Sequence, residues 1–180
     1  MSTMSMQPHL TFDDFLAMER ESELKHELIG GLVYNMAGAS PRHNDIVMNM
    51  AVAIGAAARA SGCRARAADQ LVKGDDINAK YPDFGVYCED EADSFYVTQP
   101  CLLAEVLSPT SHERDKVTKL VAYRRLPSLK AYLIVDPETQ TVMAHMRDHR
   151  GKWATNNCGL GDQLLLPGPE MMLQINDLFA

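Results

Sequence analysis

The sequence predicts a single mixed α/β (α+β) domain over residues 1–180, with a central mixed β-sheet flanked by helices. Segments in which apolar residues recur at helical spacing alternate with short apolar runs of strand length, the order expected of a mixed fold. The 180 residues are 46% hydrophobic and 23% charged, which is the composition of an ordinary globular protein with one core. The sequence contains no internal repeat and no low-complexity linker, so we expect one domain.

The first third of the chain is predicted to hold two helices on either side of a hairpin. Thr11 precedes a short apolar stripe and predicts a helix over residues 11–20 with this threonine as its N-cap. The pair Gly30-Gly31 interrupts an apolar segment and predicts a hairpin or bend. Ser40-Pro41 is typical of a helix start, and this second helix is predicted to end at residues 61–62.

The remainder of the chain alternates between extended and helical patterns. We predict extended segments over residues 64–73, 81–88, 101–107 and 129–135, a helix over 111–125, a hairpin over 141–153 and a small amphipathic piece over 171–179.

Charge and hydropathy narrow the possible partners. The net charge of −7 argues against non-specific wrapping of DNA, although a local basic groove around an acidic metal site remains compatible with it. No apolar run approaches the roughly 18 residues that a membrane span needs. The N-terminal MSTMSMQPHL has none of the regions of a signal peptide, so we expect a cytoplasmic protein with no membrane partner.

The four cysteines predict little covalent or metal chemistry. Cys63, Cys88, Cys101 and Cys158 lie far apart along the chain and form no CxxC pair. We therefore expect reduced, mostly buried thiols, and neither a disulfide nor a structural zinc site.

One acidic residue interrupts the apolar stretch LLAEVLSPTS. On an extended strand Glu105 shares a face with Cys101, Leu103 and Leu107, and burial of an ionised carboxylate there costs several kcal/mol unless a cation or several donors satisfy it. Two interpretations remain open, an ion pair with a nearby lysine or arginine and a metal ligand at the end of a strand.

A second acid favours the interpretation of Glu105 as a metal ligand. Asp83 opens the preceding apolar segment in YPDFGVY, and if the two segments are neighbours in one sheet, Asp83 and Glu105 face the same crevice. Two carboxylates with water suit Mg²⁺ or Mn²⁺, which prefer oxygen ligands. Such ions usually act on phosphates.

The helix after this stretch adds a third element. Asp115, Lys119 and Tyr123 recur every four residues and so lie along one helix face, with Val117, Leu120 and Val121 largely on the other. Taken alone, Asp115 and Lys119 are more typical of a solvated i,i+4 pair on a helix surface than of a functional site.

The order of these motifs resembles the PD-(D/E)xK nuclease superfamily and, more narrowly, the Uma-type endonucleases. The resemblance is carried by HELIGGLVYNMA, PRHNDIV, YPDFGVY, LLAEVLSPTSHERD, KLVAY and LKAYLIVDPET. It implies a restriction-endonuclease-like core in which Asp83 and Glu105 hold a divalent metal, Mg²⁺ or Mn²⁺, and a nucleic acid, DNA, is the substrate. The superfamily lysine two residues after the acid is replaced by Leu107, and Lys119 is the matching residue of this branch.

The resemblance also makes Glu27 a further acid of the site, with an exposed charge at a strand edge as the alternative. Three other predictions are weaker. His43, near a helix N-terminus, either binds phosphate or caps the turn, and Ser108 either bonds into the site or only ends its strand. His145 and His149 are interpreted as surface residues.

Two basic regions offer a groove for phosphates. Six basic residues against two acidic ones lie between residues 112 and 130, and Arg64, Arg66, Lys73 and Lys80 precede Asp83. A homodimer is expected, because cutting both strands of a duplex is simplest with two sites. The alternative function is a non-catalytic oligomeric binding or regulatory protein on the same scaffold, which the displaced lysine and the acidic total favour.

Overall fold

The computed structural model describes residues 9–36, 38–89, 93–108 and 113–180, and for residues 113–118 it describes the backbone alone. The helices of these residues are three α-helices and one 3₁₀ helix: α1 (Phe12–Glu21), α2 (Pro41–Ala60), α3 (Glu113–Arg124) and the 3₁₀ helix Ile175–Leu178.

Thirteen strands connect and flank these helices in the described residues. In chain order they are β1 (His26–Ile29), β2 (Leu32–Asn35), β3 (Arg64–Ala67), β4 (Leu71–Asp75), β5 (Asn78–Lys80), β6 (Phe84–Tyr87), β7 (Tyr96–Val97), β8 (Pro100–Val106), β9 (Ala131–Asp136), β10 (Thr141–Arg147), β11 (Trp153–Cys158), β12 (Gln163–Pro167) and β13 (Glu170–Gln174).

The strands form two large mixed sheets and one separate hairpin. The six-stranded sheet has the order β11-β10-β9-β8-β6-β3, in which β8 and β9 are parallel and joined through α3. The five-stranded sheet has the order β2-β1-β5-β4-β7, and the hairpin is β12-β13. The predicted fold class, a mixed α/β arrangement with a central mixed sheet and flanking helices, is confirmed.

Apolar side chains cover both faces of the six-stranded sheet. On one face α2, the β12-β13 hairpin and the 3₁₀ helix close the largest cluster, which includes Met50, Ile54 and Leu133. On the other face Leu103 packs with α3 and with Val72 of the five-stranded sheet. The second face of the six-stranded sheet is therefore covered by α3 and the five-stranded sheet.

Helix starts follow the predicted capping chemistry. Thr11 accepts a hydrogen bond from the Asp14 backbone N–H, and the Asp14 carboxylate accepts one in return, a capping box. Ser40 caps α2 through the His43 N–H, with Pro41 in the first turn, where its missing N–H costs nothing. The predicted Gly30-Gly31 hairpin also forms, because both glycines adopt positive φ between β1 and β2.

The prediction of one extended segment over residues 64–73 is wrong. It divides into β3 and β4, which belong to different sheets. Ala68 and Asp69 between them adopt φ of 51° and 61°, a left-handed conformation that reverses the chain direction locally. The Ala68 N–H donates to the Asp83 carbonyl at 2.8 Å, which fixes this bend beside the start of β6.

The prediction that the cysteines are all reduced is also wrong. Antiparallel pairing of β3 with β6 places Cys63 beside Cys88, and the two form a disulfide. Cys101 and Cys158 remain free thiols. Spacing along the chain did not reveal this pair, because the two residues meet only through strand register.

Cys101 departs from the predicted alternation as well. It packs in the cluster that contains Leu102 and Ala104, not with Leu103. The register between β6 and β8 shifts by one residue at this point, since Val86 pairs with Leu102 and Tyr87 with Pro100. A β-bulge of this kind turns the side chain of the extra residue in a new direction.

The predicted faces of α3 are partly wrong. Leu120 is packed against the core as an apolar residue should be, but Val121 is 49% exposed and Tyr123 is buried. Tyr123, and not Val121, lies on the buried face of the helix, because its hydroxyl donates a hydrogen bond to the Glu105 carboxylate there. The side chains of Asp115 and Val117 lie outside the described residues.

Among the described residues no helix is long and apolar enough to cross a bilayer.

We expect Leu133→Ala to lower the free energy of unfolding by about 3 kcal/mol, because the fully buried leucine leaves a cavity in the main core cluster. Urea denaturation followed by circular dichroism measures the loss. Met143→Ala on the neighbouring strand is the matched control, since Met143 is 41% exposed and its removal should cost less than about 0.5 kcal/mol. Equal losses in the two variants would contradict the assignment of the core.

Candidate active site

The two predicted metal-binding acids lie side by side at one end of the six-stranded sheet. Phe84 of β6 pairs with Ala104 of β8, and the two strands are antiparallel. Asp83, which precedes Phe84, and Glu105, which follows Ala104, therefore lie at the same end of this strand pair. The Asp83 Oδ2 atom accepts a hydrogen bond of 2.7 Å from the Val106 N–H, which ties the carboxylate to the strand that carries Glu105. The sheet itself therefore fixes the relative position of the two acids.

Glu105 is buried at 8% exposure and both of its carboxylate oxygens are bound by α3. The Lys119 ammonium donates to Oε2 at 2.9 Å, and the Tyr123 hydroxyl donates to Oε1 at 3.2 Å. These donors lie one helical turn apart on the same face of the helix, so a single docked helix satisfies the buried charge.

Glu27 of β1 approaches the same lysine from the five-stranded sheet. Its Oε1 lies 3.2 Å from Lys119 Nζ, and its side chain is 13% exposed. β1 is an interior strand of that sheet, so the alternative of an exposed edge charge is wrong. Lys119 thus lies between two carboxylates that belong to different sheets.

His43 of α2 completes the group on the other side of Asp83. Its Nε2 atom lies 3.1 Å from Asp83 Oδ2, and hydrogen bonding to Asp83 raises the pKa of His43 against the opposing effect of burial. Its backbone N–H also donates to the Ser40 cap at 3.2 Å. The residue therefore serves the helix turn through its backbone and contacts an acid through its ring.

Burial sets the protonation behaviour of the site. It raises the pKa of Glu105 to about 7, with the Lys119 charge acting to lower it and Asp83 and Glu27 acting to raise it further. Burial alone would lower the pKa of Lys119, but the charges of Glu105 and Glu27 outweigh it and raise that pKa above its ordinary value. The lysine is consequently a permanent cation near neutral pH.

The donor set fits a hard divalent cation. Glu27 and Glu105 pair with one lysine, and Asp83 is held on the strand next to Glu105, so the three acids carry an excess of negative charge that a cation would offset. In the described part of the chain, the buried Glu27 Oε1 accepts no hydrogen bond beyond its ion pair with Lys119, and Asp83 Oδ1 takes part in none of the described contacts. Asp83 and Glu105 would hold such an ion, with water completing an all-oxygen shell of the type that Mg²⁺ or Mn²⁺ prefers.

A cavity of about 390 Å³ opens beside Asp83 and His43. Its other walls come from the residues around β2, the start of α2 and the bend between β3 and β4: Leu24, Lys25, Asn35, Met36, Gly38, Ala39, Asn44, Val47, Ala68 and Asp69. This volume lies in the range of small-ligand sites. Asp83 thus borders a space that could admit part of a substrate.

The weaker predictions have mixed outcomes. Ser108 is exposed and lies two residues beyond the end of β8, and the side chain of Asp115 lies outside the described residues. The interpretation of His145 as a surface residue is wrong: it is 4% exposed, because its ring stacks on Tyr132 and its Nδ1 atom lies 2.8 Å from the Thr155 hydroxyl oxygen. His149 is exposed as expected.

The basic residues before Asp83 do not form a continuous flank. Lys80 is 2% exposed, with its Nζ atom 5.9 Å from the centroid of the Tyr123 ring, so it belongs to the interior behind the site. Arg66 stacks on Tyr87, and Lys73 lies over Phe12. The burial of Lys80 was not foreseen, because a lysine that ends a three-residue strand carries no signal of its environment.

Solved structures and curated proteins resemble this chain over most of its length. A crystal structure titled as a "putative nuclease belonging to DUF820" from Anabaena variabilis ATCC 29413 superposes with a TM-score of 0.74, covering 94% of this chain and 97% of the other at 22% identity. At that identity the likeness shows the fold alone.

Two Synechocystis sp. proteins are similar in sequence. "Uncharacterized protein slr1290" is 29% identical over 88% of this chain and 85% of its own length, and "Uncharacterized protein sll1609" is 31% identical over 71% and 75%. The family model Uma2, described as "Putative restriction endonuclease", matches residues 12–176, a span that contains Glu27, Asp83, Glu105 and Lys119. The chain therefore belongs to the Uma2 family of restriction-endonuclease-like proteins.

Proposed function

We propose that this protein is a divalent-metal-dependent endonuclease that hydrolyses phosphodiester bonds, with DNA as substrate. One observation carries the proposal: Glu27 and Glu105 pair with a single lysine from two sheets, and Asp83, tied to the strand of Glu105 by the Val106 N–H, borders a cavity. A structural ion pair requires only one acid for one lysine. The surplus of carboxylates is what a site for a metal cation needs, and family membership supports the reaction class.

Asp83 and Glu105 hold the cation in this proposal. A bound Mg²⁺ or Mn²⁺ supplies Lewis acidity toward a phosphoryl oxygen and lowers the pKa of water. The contribution of the chain is to keep both carboxylates in register, through the pairing of β6 with β8 and the bond from the Val106 N–H to Asp83. Tyr123 keeps the Glu105 carboxylate in one orientation through its hydrogen bond.

Lys119 stabilises charge and does not accept a proton. Because the pKa of Lys119 is raised, its ammonium remains protonated and can donate to an attacking water or to a non-bridging phosphate oxygen. Glu27 also pairs with this ammonium, which restricts its movement further. The helix-borne lysine thereby takes the role that Leu107, packed in the core, cannot perform.

The substrate reaches the acids through the cavity beside His43. The first turn of α2 borders this cavity, and the dipole of a helix favours a phosphate group at its N-terminus. His43, whose pKa is raised, adds positive charge at the same place as the pH falls. For a duplex substrate the proposal includes two copies of the chain, because one such site cuts one strand.

A second candidate is a non-catalytic binding protein on the same scaffold. It is favoured by the occupation of both Glu105 oxygens by protein donors, an arrangement that also satisfies a purely structural carboxylate. Calorimetric titration of the wild-type protein with Mn²⁺ discriminates the two functions. A stoichiometric site that Asp83→Ala removes supports the nuclease, and the absence of heat supports the binding protein.

We expect Asp83→Asn to reduce Mg²⁺- or Mn²⁺-dependent cleavage of DNA by about 100-fold or more, because a metal-binding charge worth several kcal/mol in the transition state is lost. Gel assays on plasmid and on single-stranded DNA measure the rate. Glu138→Gln, at an exposed acid, is the matched control and should cleave as the wild type does. Undiminished cleavage by both Asp83→Asn and Glu105→Gln would refute the proposed site.

Lys119→Met should abolish cleavage and also lower the free energy of unfolding by about 3 kcal/mol at pH 8, because two buried carboxylates lose their cation. The loss should be smaller at pH 6. Burial raises the pKa of Glu105 to about 7 in the wild type, and removal of the Lys119 charge, which acts to lower that pKa, raises it further. Glu105 of the variant is therefore neutral at pH 6, and its folded-state protonation offsets the loss until the pH rises above about 7. Lys152→Met, at an exposed lysine, serves as the control, and a pH-independent loss would argue against unpaired Glu105 as its cause.

The apparent affinity for Mn²⁺ should increase as the pH rises from 6 to 8 and level off above about 7. A protonated carboxyl is a poor ligand, and burial raises the pKa of Glu105 to about 7, so the proton competes with the metal below that value. Titration calorimetry at several pH values measures the trend. If Glu105→Gln retained the same pH profile, another group would be responsible for it.

A further inference from the structure

Three cysteines meet where β6 ends and β8 begins, at the edge of the sheet opposite to the acids. The sulfur atoms of Cys63, Cys88 and Cys101, here called the cysteine triad, all lie within 4.8 Å of one another. Cys63 and Cys88 form the disulfide, and Cys101 Sγ lies 2.9 Å from Cys88 Sγ. In the described residues no other set of three His, Cys, Asp or Glu side chains brings its ligand atoms this close together.

The fold assembles the triad from three separate elements. Cys63 lies between α2 and β3, Cys88 follows β6, and Cys101 is the bulged residue of β8. The bulge is decisive for the third sulfur. With regular alternation Cys101 would share the face of Leu103, whereas the register shift places it in the cluster that contains Cys63.

Three sulfurs in this arrangement match the requirements of a thiophilic cation. Zn²⁺ binds thiolates at about 2.3 Å, which for tetrahedral geometry places neighbouring sulfurs about 3.8 Å apart. The Cys101 sulfur is already within this reach of Cys88, and release of the disulfide lets Cys63 and Cys88 separate to it. Reduction of the disulfide and a small separation of its two sulfur atoms would therefore convert the triad into a site with three thiolate ligands.

The surroundings of the triad also suit a charged thiolate site. Cys88 is exposed, which provides an entry path and space for a water molecule as the fourth ligand, whereas Cys63 and Cys101 are buried. Lys130 places positive charge near Cys101, which would offset the excess negative charge of three thiolates on a divalent ion. Burial raises the pKa of Cys101 to about 11, so this thiol stays protonated and unreactive until a metal displaces its proton.

We propose that the reduced cysteine triad is a binding site for a thiophilic d¹⁰ cation, Zn²⁺, and that the Cys63–Cys88 disulfide is its closed form. A dithiol reductant converts the disulfide to two thiols and is itself oxidised to a disulfide, which balances two electrons and two protons. Binding of Zn²⁺ by Cys63, Cys88 and Cys101 then releases three thiol protons to solvent.

The triad is chemically distinct from the candidate active site. Sulfur ligands select soft or borderline cations, whereas the carboxylates at the opposite end of the same strands select hard ones. The disulfide joins the end of α2 to β6, and a metal held by all three cysteines would join both to β8 as well. The inference is independent of the proposed nuclease function.

Co²⁺ titration of the full-length protein tests the proposal, because a cobalt–thiolate bond gives near-ultraviolet charge-transfer absorption that a carboxylate site does not. We expect the reduced wild-type protein to bind one equivalent of Co²⁺ with this absorption and with tetrahedral bands in the visible, and Zn²⁺ to bleach both. The oxidised wild-type protein, which retains the disulfide, should show neither. Cys101→Ser should lose about one third of the charge-transfer intensity, one thiolate of three, or lose binding altogether.

Cys158→Ser is the matched control, since Cys158 is the free cysteine outside the triad, and it should bind as the wild type does. Circular dichroism of every sample establishes that the protein is folded, and Zn²⁺ should raise the melting temperature of the reduced wild type but not of Cys101→Ser. The proposal is overturned if the reduced wild-type protein shows no charge-transfer band, if it unfolds on reduction, or if Cys101→Ser leaves the band unchanged.

Discussion

The burial of the Glu105 carboxylate is the interaction on which the rest of the site depends. An acid inside β8 requires a cation and a donor, and both come from α3, the helix that connects β8 to its parallel neighbour β9. The crossover connection is thereby held to the sheet by charge as well as by apolar packing. Glu27 reaches the same ammonium from the five-stranded sheet, so one lysine joins the two sheets electrostatically.

Local patterns predicted the elements and the acids well. The Thr11 and Ser40 caps, the glycine pair of the first hairpin and the apolar runs of the central strands each depend on neighbours within a few residues. The adjacency of Asp83 and Glu105 followed from the expectation that consecutive apolar strands pair. Helical spacing with Asp115 and Tyr123 first directed attention to Lys119, and family resemblance gave Lys119 its role and pointed to Glu27.

The features that sequence reasoning missed all arise from tertiary register. The division of residues 64–73 into two strands depends on positive φ at Ala68 and Asp69, residue types that do not require it. The meeting of Cys63 with Cys88 follows from the alignment of β3 on β6, and the position of Cys101 follows from a bulge. Burial of Lys80 and His145 depends on aromatic rings contributed by distant segments. None of these has a periodic signature along the chain.

The crossover helix has a further consequence for how the protein matures. Lys119 reaches Glu105 only when α3 has packed across the sheet, and the flanking strands β8 and β9 are separated by the whole connection. During synthesis the acids of β6 and β8 therefore emerge from the ribosome well before the sheet strand that secures their lysine. In the proposed nuclease, a nascent or partly folded chain would hold carboxylates without their cation, and the site would be complete only once α3 has packed across the sheet.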